Sequence, residues 1–194
     1  MQILRHNALI DIPWKNGGGI TRNIALGSCD GQTAWRLSRA DVAEDGAFSS
    51  FTGLIRILTV VSDSGMVLQH SQGGLDADPW QPVRFSGELD VFARLKGGPL
   101  TDLNLMFDPR LCDAAVTPRR GPLDQPVTPP ATGMTALHVL AGRPTFGPLQ
   151  LEVGDTAFPV EQTQLKLGTG DAVLEIQVLY LDQSKPIKFV IAAR

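Results

Sequence analysis

Twelve short runs of aliphatic and β-branched residues recur along this chain, and none exceeds ten residues before Gly, Pro, Asp or Ser closes it. The runs are Ile20–Leu26, Ala34–Val42, Leu54–Val61, Met66–Gln69, Val83–Phe85, Val91–Leu95, Leu103–Phe107, Thr135–Leu140, Leu149–Val153, Gln164–Leu167, Ala172–Leu181 and Lys188–Ala192. Segments that short, bounded by turn residues, bury one face each as strands but cannot pack as amphipathic helices. They predict an all-β sandwich or barrel. Fourteen prolines and twenty glycines among 194 residues agree with a turn-dense fold. One short helix is expected, over Pro109–Ala115, with Asp108 as its cap and proline at the first helical position.

Five prolines fall between Thr117 and Gly133, which reads as an extended connector. The chain then divides into an N-terminal half at 1–116, a proline-rich connector at 117–133 and a C-terminal half at 134–194. Gly154-Asp155 and Gly170-Asp171 stand between strand runs of the C-terminal half, a turn pattern frequent in jelly rolls. The expected architecture is two stacked jelly-roll-like β-barrel halves, the first larger.

Net charge is -3 and the basic residues are scattered, so no nucleic-acid footprint is expected. No apolar stretch reaches the length of a membrane-spanning helix, and the first residues lack a signal-peptide layout. A cytoplasmic protein without a membrane partner is the expectation. Cys29 and Cys112 have no CxxC partner and are expected as free thiols. An exposed strand edge would allow a homodimer.

Chemistry concentrates in Pro13-Trp14-Lys15-Asn16-Gly17-Gly18-Gly19-Ile20-Thr21-Arg22. Consecutive glycines suit positive φ or close backbone approach rather than an element interior. Here they follow an aromatic face, a cation and an amide. The cluster suits either a small polar or anionic ligand, or a tight turn with Trp14 as a core plug. Period-two alternation sorts the strand faces. Arg36 shares a face with Ser38, Ala40 and Val42, and Arg56 with Leu58 and Val60. An arginine in that apolar company is a snorkelling edge residue or an anion clamp, and burial statistics alone favour the edge. Asp102 and Asn104 share a face with Met106, on either a surface strand or a cavity wall. His6, His70 and His138 lack metal-ligand spacing, and no nucleophile elbow or phosphate loop occurs, so no metal and no cofactor is expected.

The opening motif resembles that of the HutD/Ves family of bacterial cupin-like proteins. So do Trp35-Arg36-Leu37-Ser38-x-Ala40-x-Val42, the block Asp45-Gly46-x-Phe48-Ser49-x-Phe51-x-Gly53 with Arg56, Gly65-Met66-x-Leu68, and Asp102-Leu103-Asn104-Leu105-Met106. The resemblance covers residues 13 to 106. It implies a bicupin fold without the usual metal-binding histidines, and a link to bacterial histidine utilisation. For the HutD branch it implies a bound pathway metabolite, with formylglutamate and urocanate as candidates, and restraint of pathway output. The Ves branch is associated with stress or cold response. Under the resemblance Arg56 becomes the anion clamp, Trp14, Lys15 and Asn16 pocket-wall residues, Asn104 and Asp102 polar lining, and Arg36 a further ligand contact. The leading expectation is a non-enzymatic binding protein for a small carboxylate metabolite. The alternatives are a metal-independent cupin-type enzyme using Asp102 or Glu44, and a partner-binding module that only inherits the fold.

Overall fold

The computed structural model describes residues 1–182 and 184–192. Each of the twelve runs overlaps a strand, and the described residues hold no α-helix, only a 3-10 turn at His6–Ala8. The strands gather into two units.

The first unit comprises Ile10–Leu111 with Lys185–Ala192. Its larger sheet runs in the order β2 (Ile12–Pro13), β3 (Gly19–Cys29), β4 (Gln32–Val42), β11 (Leu100–Phe107), β6 (Ile55–Val60), β9 (Val83–Ser86), with β20 (Lys188–Ile191) also paired to β3. Its smaller sheet runs β5 (Gly46–Ala47), β10 (Phe92–Leu95), β7 (Met66–His70), β8 (Gly73–Ala77). Val42, Leu58, Val60 and Leu100 from the larger sheet pack with Met66, Leu68, Ala77 and Ala93 from the smaller. Full burial of each larger aliphatic side chain in such a core is worth about 1.5–3 kcal/mol.

The second unit comprises Met1–Leu9 with Cys112–Ser184. Its sheets are β1 (Gln2–Leu4), β17 (Thr156–Phe158), β14 (Gly133–Ala141), β19 (Ala172–Tyr180), β12 (Cys112–Arg120), and β13 (Leu123–Val127), β18 (Thr163–Leu167), β15 (Thr145–Phe146), β16 (Leu149–Gln150). Leu137, Val139, Ala157 and Val173 pack with Val127, Phe146, Leu165 and Leu167.

Four expectations change. The helix after Asp108 is a turn: the Leu111 N–H donates to the Asp108 carbonyl at 3.0 Å and the Arg110 N–H to the Asp108 carboxylate at 2.9 Å. Proline suits the second position of such a turn as well as the start of a helix, and Cys112–Ala115 instead pair in register with Tyr180–Gln177. The sequence boundary at residue 116 lies inside β12, and most of the proline-rich connector is strand, in β12 and β13. The terminal segments also change halves: β1 pairs with β17, and β20 with β3. Finally, no sheet closes into a barrel among the described residues.

Cys29 and Cys112 are both buried, and neither belongs to a disulfide. No helix among the described residues is long and apolar enough to cross a membrane.

Candidate functional site

One face of β4, β11 and β6 carries an unusual load. The strand register sets Arg36, Met106 and Arg56 side by side, then Ser38, Asn104 and Leu58, then Ala40, Asp102 and Val60. The last members of those rows, Leu58 and Val60, belong to the apolar core. The polar members instead open onto a cavity of ≈ 710 Å³ within the first unit. Trp14, Lys15, Asn16, Arg36, Arg56, Asp102 and Asn104, the seven residues singled out in the sequence, all line it.

Arg56 is 3% exposed and lies on an interior strand, so the edge reading gives way. Its guanidinium carbon lies 5.4 Å from the ring centroids of Phe48 and Phe51 and 5.0 Å from that of Phe85. Phe85 is its cross-strand neighbour on β9. Three aromatic faces offset part of the desolvation of the cation. Nε donates to Asn104 Oδ1 at 3.4 Å and Nη1 to the Ser49 carbonyl at 3.3 Å. An arginine has five N–H donors, so this one keeps capacity for a ligand. Burial lowers its pKa to about 10, a drop that nearby Arg36 deepens and Asp102 opposes. Arg36 stacks on the same Phe51 ring at 5.3 Å, its Nη2 faces the Met106 sulfur at 3.6 Å, and its buried Nε has no partner. Burial lowers its pKa too.

Asp102 is the acid of this lining and is 1% exposed. Neither of its oxygens has a hydrogen-bond partner in ordinary geometry. Burial pushes its pKa up to about 7; the Arg56 charge opposes the rise, Asp41 adds to it, and the Asn104 amide favours the anion.

The loop that ends in the glycine run lines the cavity through Trp14, Lys15 and Asn16. Trp14 N–H donates to the Gly19 carbonyl at 2.9 Å and Gly17 N–H to the Trp14 carbonyl at 3.1 Å, closing the loop between β2 and β3. The Trp14 indole N–H donates to Thr21 Oγ1 at 2.7 Å and its ring meets Phe48 edge-on at 6.1 Å. Trp14 is therefore both a wall of the cavity and a partner of its aromatic cage. Gly17 sits at φ +76, and a Cβ on Gly19 would lie 2.5 Å from the Asp41 carbonyl oxygen. Gly19→Ala is expected to destabilise the protein by about 1–3 kcal/mol, because backbone rather than a flexible side chain must move; urea unfolding of the variant against wild type reads this directly.

Sequence reasoning did not single out Ser38 or Thr21 as lining residues, and it met Phe48 and Phe51 only as motif positions. Phe85 entered only as the last residue of the strand run Val83–Phe85. The aromatic spacing Phe48-x-x-Phe51 close to Arg56 is the signal that was available; Phe85 joins them only through strand pairing. Glu44, the other acid weighed for catalysis, is not in the lining.

Among the described residues no group of three His, Cys, Asp or Glu could hold a metal ion. His138 is buried, its Nδ1 2.9 Å from Thr156 Oγ1. The second unit has a smaller cavity of ≈ 360 Å³ containing Arg5, His6, Glu152 and Asp155. Its buried carboxylate is already engaged, accepting from Arg5 at 2.6 Å and from the backbone N–H groups of His6 and Glu152 at 3.0 Å. Those bonds hold the Asp155 pKa below the ordinary carboxylate range against the opposing effect of burial.

A protein-family model described as HutD matches residues 6–174. An uncharacterised 21.2 kDa protein from the hutC 3′ region of Pseudomonas putida is 42% identical over 113 residues, 57% of this chain; the match spans 60% of that relative's length. The solved structure of HutD from Pseudomonas fluorescens SBW25, described as in a formate condition, is 29% identical, with a TM-score of 0.79 over 93% of this chain and 99% of that one. The nickel(II) complex of the bacterial pirin YhhW from Escherichia coli is 8% identical with a TM-score of 0.64, over 91% of this chain and 97% of that one. That last likeness is one of fold alone and carries nothing about activity.

Proposed function

This chain belongs to the HutD family, and we propose that it binds a small carboxylate metabolite in the Arg56 cavity and so regulates histidine utilisation. One observation carries the reading: a buried guanidinium with unused donors faces a cavity, caged by three phenylalanines. Caging and burial make that cation a strong partner for an anion, because the competing water is excluded. Arg36 adds a second cation on the same row and Lys15 a third in the lining. The chemistry asks for an anionic group of small size; formylglutamate and urocanate enter as candidates through the pathway that the family's name connects with this chain. The paired sheets of each unit suit a bicupin scaffold, and the regulatory reading puts the protein in the cytoplasm with its pathway.

Calorimetric titration with formylglutamate, urocanate, histidine and glutamate tests the proposal. Saturable binding of one of them is the expected result. No heat from any of the four would remove the histidine-pathway reading.

Asp102 favours one second reading. A buried acid with a pKa raised to about 7, set beside an arginine in a cavity, has the properties of a general acid or base. A metal-independent enzyme acting on a small carboxylate would then be the function. Incubation of each compound with the protein, followed by NMR, separates the two: an enzyme consumes its ligand, whereas a sensor returns it unchanged.

A further inference from the structure

The two ends of the cavity differ in what they demand. At one end Arg36 and Arg56 flank Met106 and share the Phe51 ring, offering donors and positive charge. At the other, four residues back along β11, Asp102 offers two buried acceptors with no hydrogen-bond partner in ordinary geometry, close enough to Arg56 for the two charges to act on one another. The nearby donors do not meet it, and the Asn104 amide acts on it without ordinary hydrogen-bond geometry. Arg56 Nε is turned to Asn104 and Nη1 to the Ser49 carbonyl. The Trp14 indole N–H is held by Thr21. A buried acceptor without a donor is an uncommon and costly arrangement in a folded protein, and here it faces a ligand-sized space.

We infer that Asp102 is a specificity residue, which selects ligands carrying an N–H or O–H donor in addition to the carboxylate that Arg36 and Arg56 hold. The inference rests on the reading of this cavity as a carboxylate site and narrows its ligand class. A ligand that bears only acceptors brings oxygen lone pairs toward those of Asp102 and gains nothing there. A ligand with an amide, amine, ring N–H or hydroxyl completes the bond that the protein leaves open. Sites built to hydrogen-bond a ligand group discriminate strongly against analogues lacking it, since the protein's own polar atom then stays unpaired.

A matched pair of probes isolates this effect. Levulinate and N-acetylglycinate carry one carboxylate and one ketone or amide carbonyl at the same spacing, and differ by CH2 against N–H. Titrated by calorimetry into the full chain at pH 8, where Asp102 is ionised, N-acetylglycinate is expected to bind about ten- to a hundredfold more tightly, the range of a hydrogen bond to a charged group. Asp102→Leu is expected to erase that preference. Replacing a buried charge by an apolar residue of similar size is commonly compatible with folding, and a thermal melt verifies it. Should the leucine variant not fold, Asp102→Asn keeps one acceptor without the charge and is expected to retain only a fraction of the preference.

Equal affinity for the two probes, both lost in Arg56→Ala, would overturn the donor requirement while leaving the carboxylate site standing. A preference that survives removal of the Asp102 carboxylate would overturn it as well. If neither probe binds, or if binding persists in Arg56→Ala, the carboxylate reading itself falls and takes this inference with it.

Discussion

Arg56→Ala is expected to weaken carboxylate binding at least about a hundredfold, the scale of removing one partner from a buried charge-assisted pair. The same calorimetric titration applied to wild type and variant measures it. The side chain is 3% exposed and three phenylalanine rings cage its guanidinium. Arg36 touches only one of those rings, Phe51. Arg56→Lys refines the result: it keeps the charge but loses the planar fork, and is expected to recover only part of the affinity. The alanine variant should still fold. It gives up a buried cation whose desolvation already lowers its pKa, although it leaves the Asn104 oxygen and the Ser49 carbonyl without the donors they now accept from. Full affinity in a folded Arg56→Ala protein would end the assignment of this cavity as an anion site.

Asp102→Asn is expected to stabilise the protein at pH 8 and to do so progressively less as the pH falls. The pKa of Asp102 rises from 3.8 to about 7 on folding, chiefly through burial. A group raised in this way holds its proton more tightly in the folded state. Its contribution to stability is complete below about pH 4 and is lost as the pH rises through 7. Wild type therefore carries a penalty above pH 7 on the order of 4 kcal/mol, which an uncharged asparagine does not. The charged groups acting on Asp102 are Arg56 on β6 and Asp41 on β4, with the Asn104 amide on its own strand. Arg56 keeps its charge throughout the range, since its pKa stays near 10. Acids with lowered pKa values, such as Asp41 and Asp155, weaken both proteins alike at low pH, so the difference between them isolates Asp102. Urea unfolding at pH 4, 6 and 8 reads that difference. A constant difference across the three values would mean that Asp102 does not titrate in this window. Together with the donor preference, the result would describe a residue kept at a cost to stability for what it contributes to the ligand.

Strand identity was legible because it is local. A run such as Leu103–Phe107 alternates, ends at a turn and has few other ways to bury its apolar side chains. The strands that escaped, such as β8 (Gly73–Ala77) and β12 (Cys112–Arg120), are rich in glycine, or in proline and charge. They are strands because partners hold them: β8 pairs with β7 residue by residue, and β12 pairs with β19 over its whole length. Alternation also divided Arg36, Ser38 and Ala40 from Trp35, Leu37 and Arg39, but it could not say which set faced a cavity, since neither is cleanly apolar. Arg56 shows the same limit. By alternation and burial statistics alone it is an arginine among aliphatics that reads as an edge residue; in the fold its strand lies between β11 and β9.

The amino-acid sequence by itself determined the all-β class, most strand positions, the turn at the glycine run and the set of polar residues available for a site, because each depends on neighbours within a few positions. Tertiary structure decided which strands pair, that β1 and β20 join sheets built largely from distant parts of the chain, that Arg56 is central and that Asp102 is buried without a partner. These depend on contacts between residues far apart in the chain, where register and burial are settled by the packing of whole sheets, and no local pattern records them.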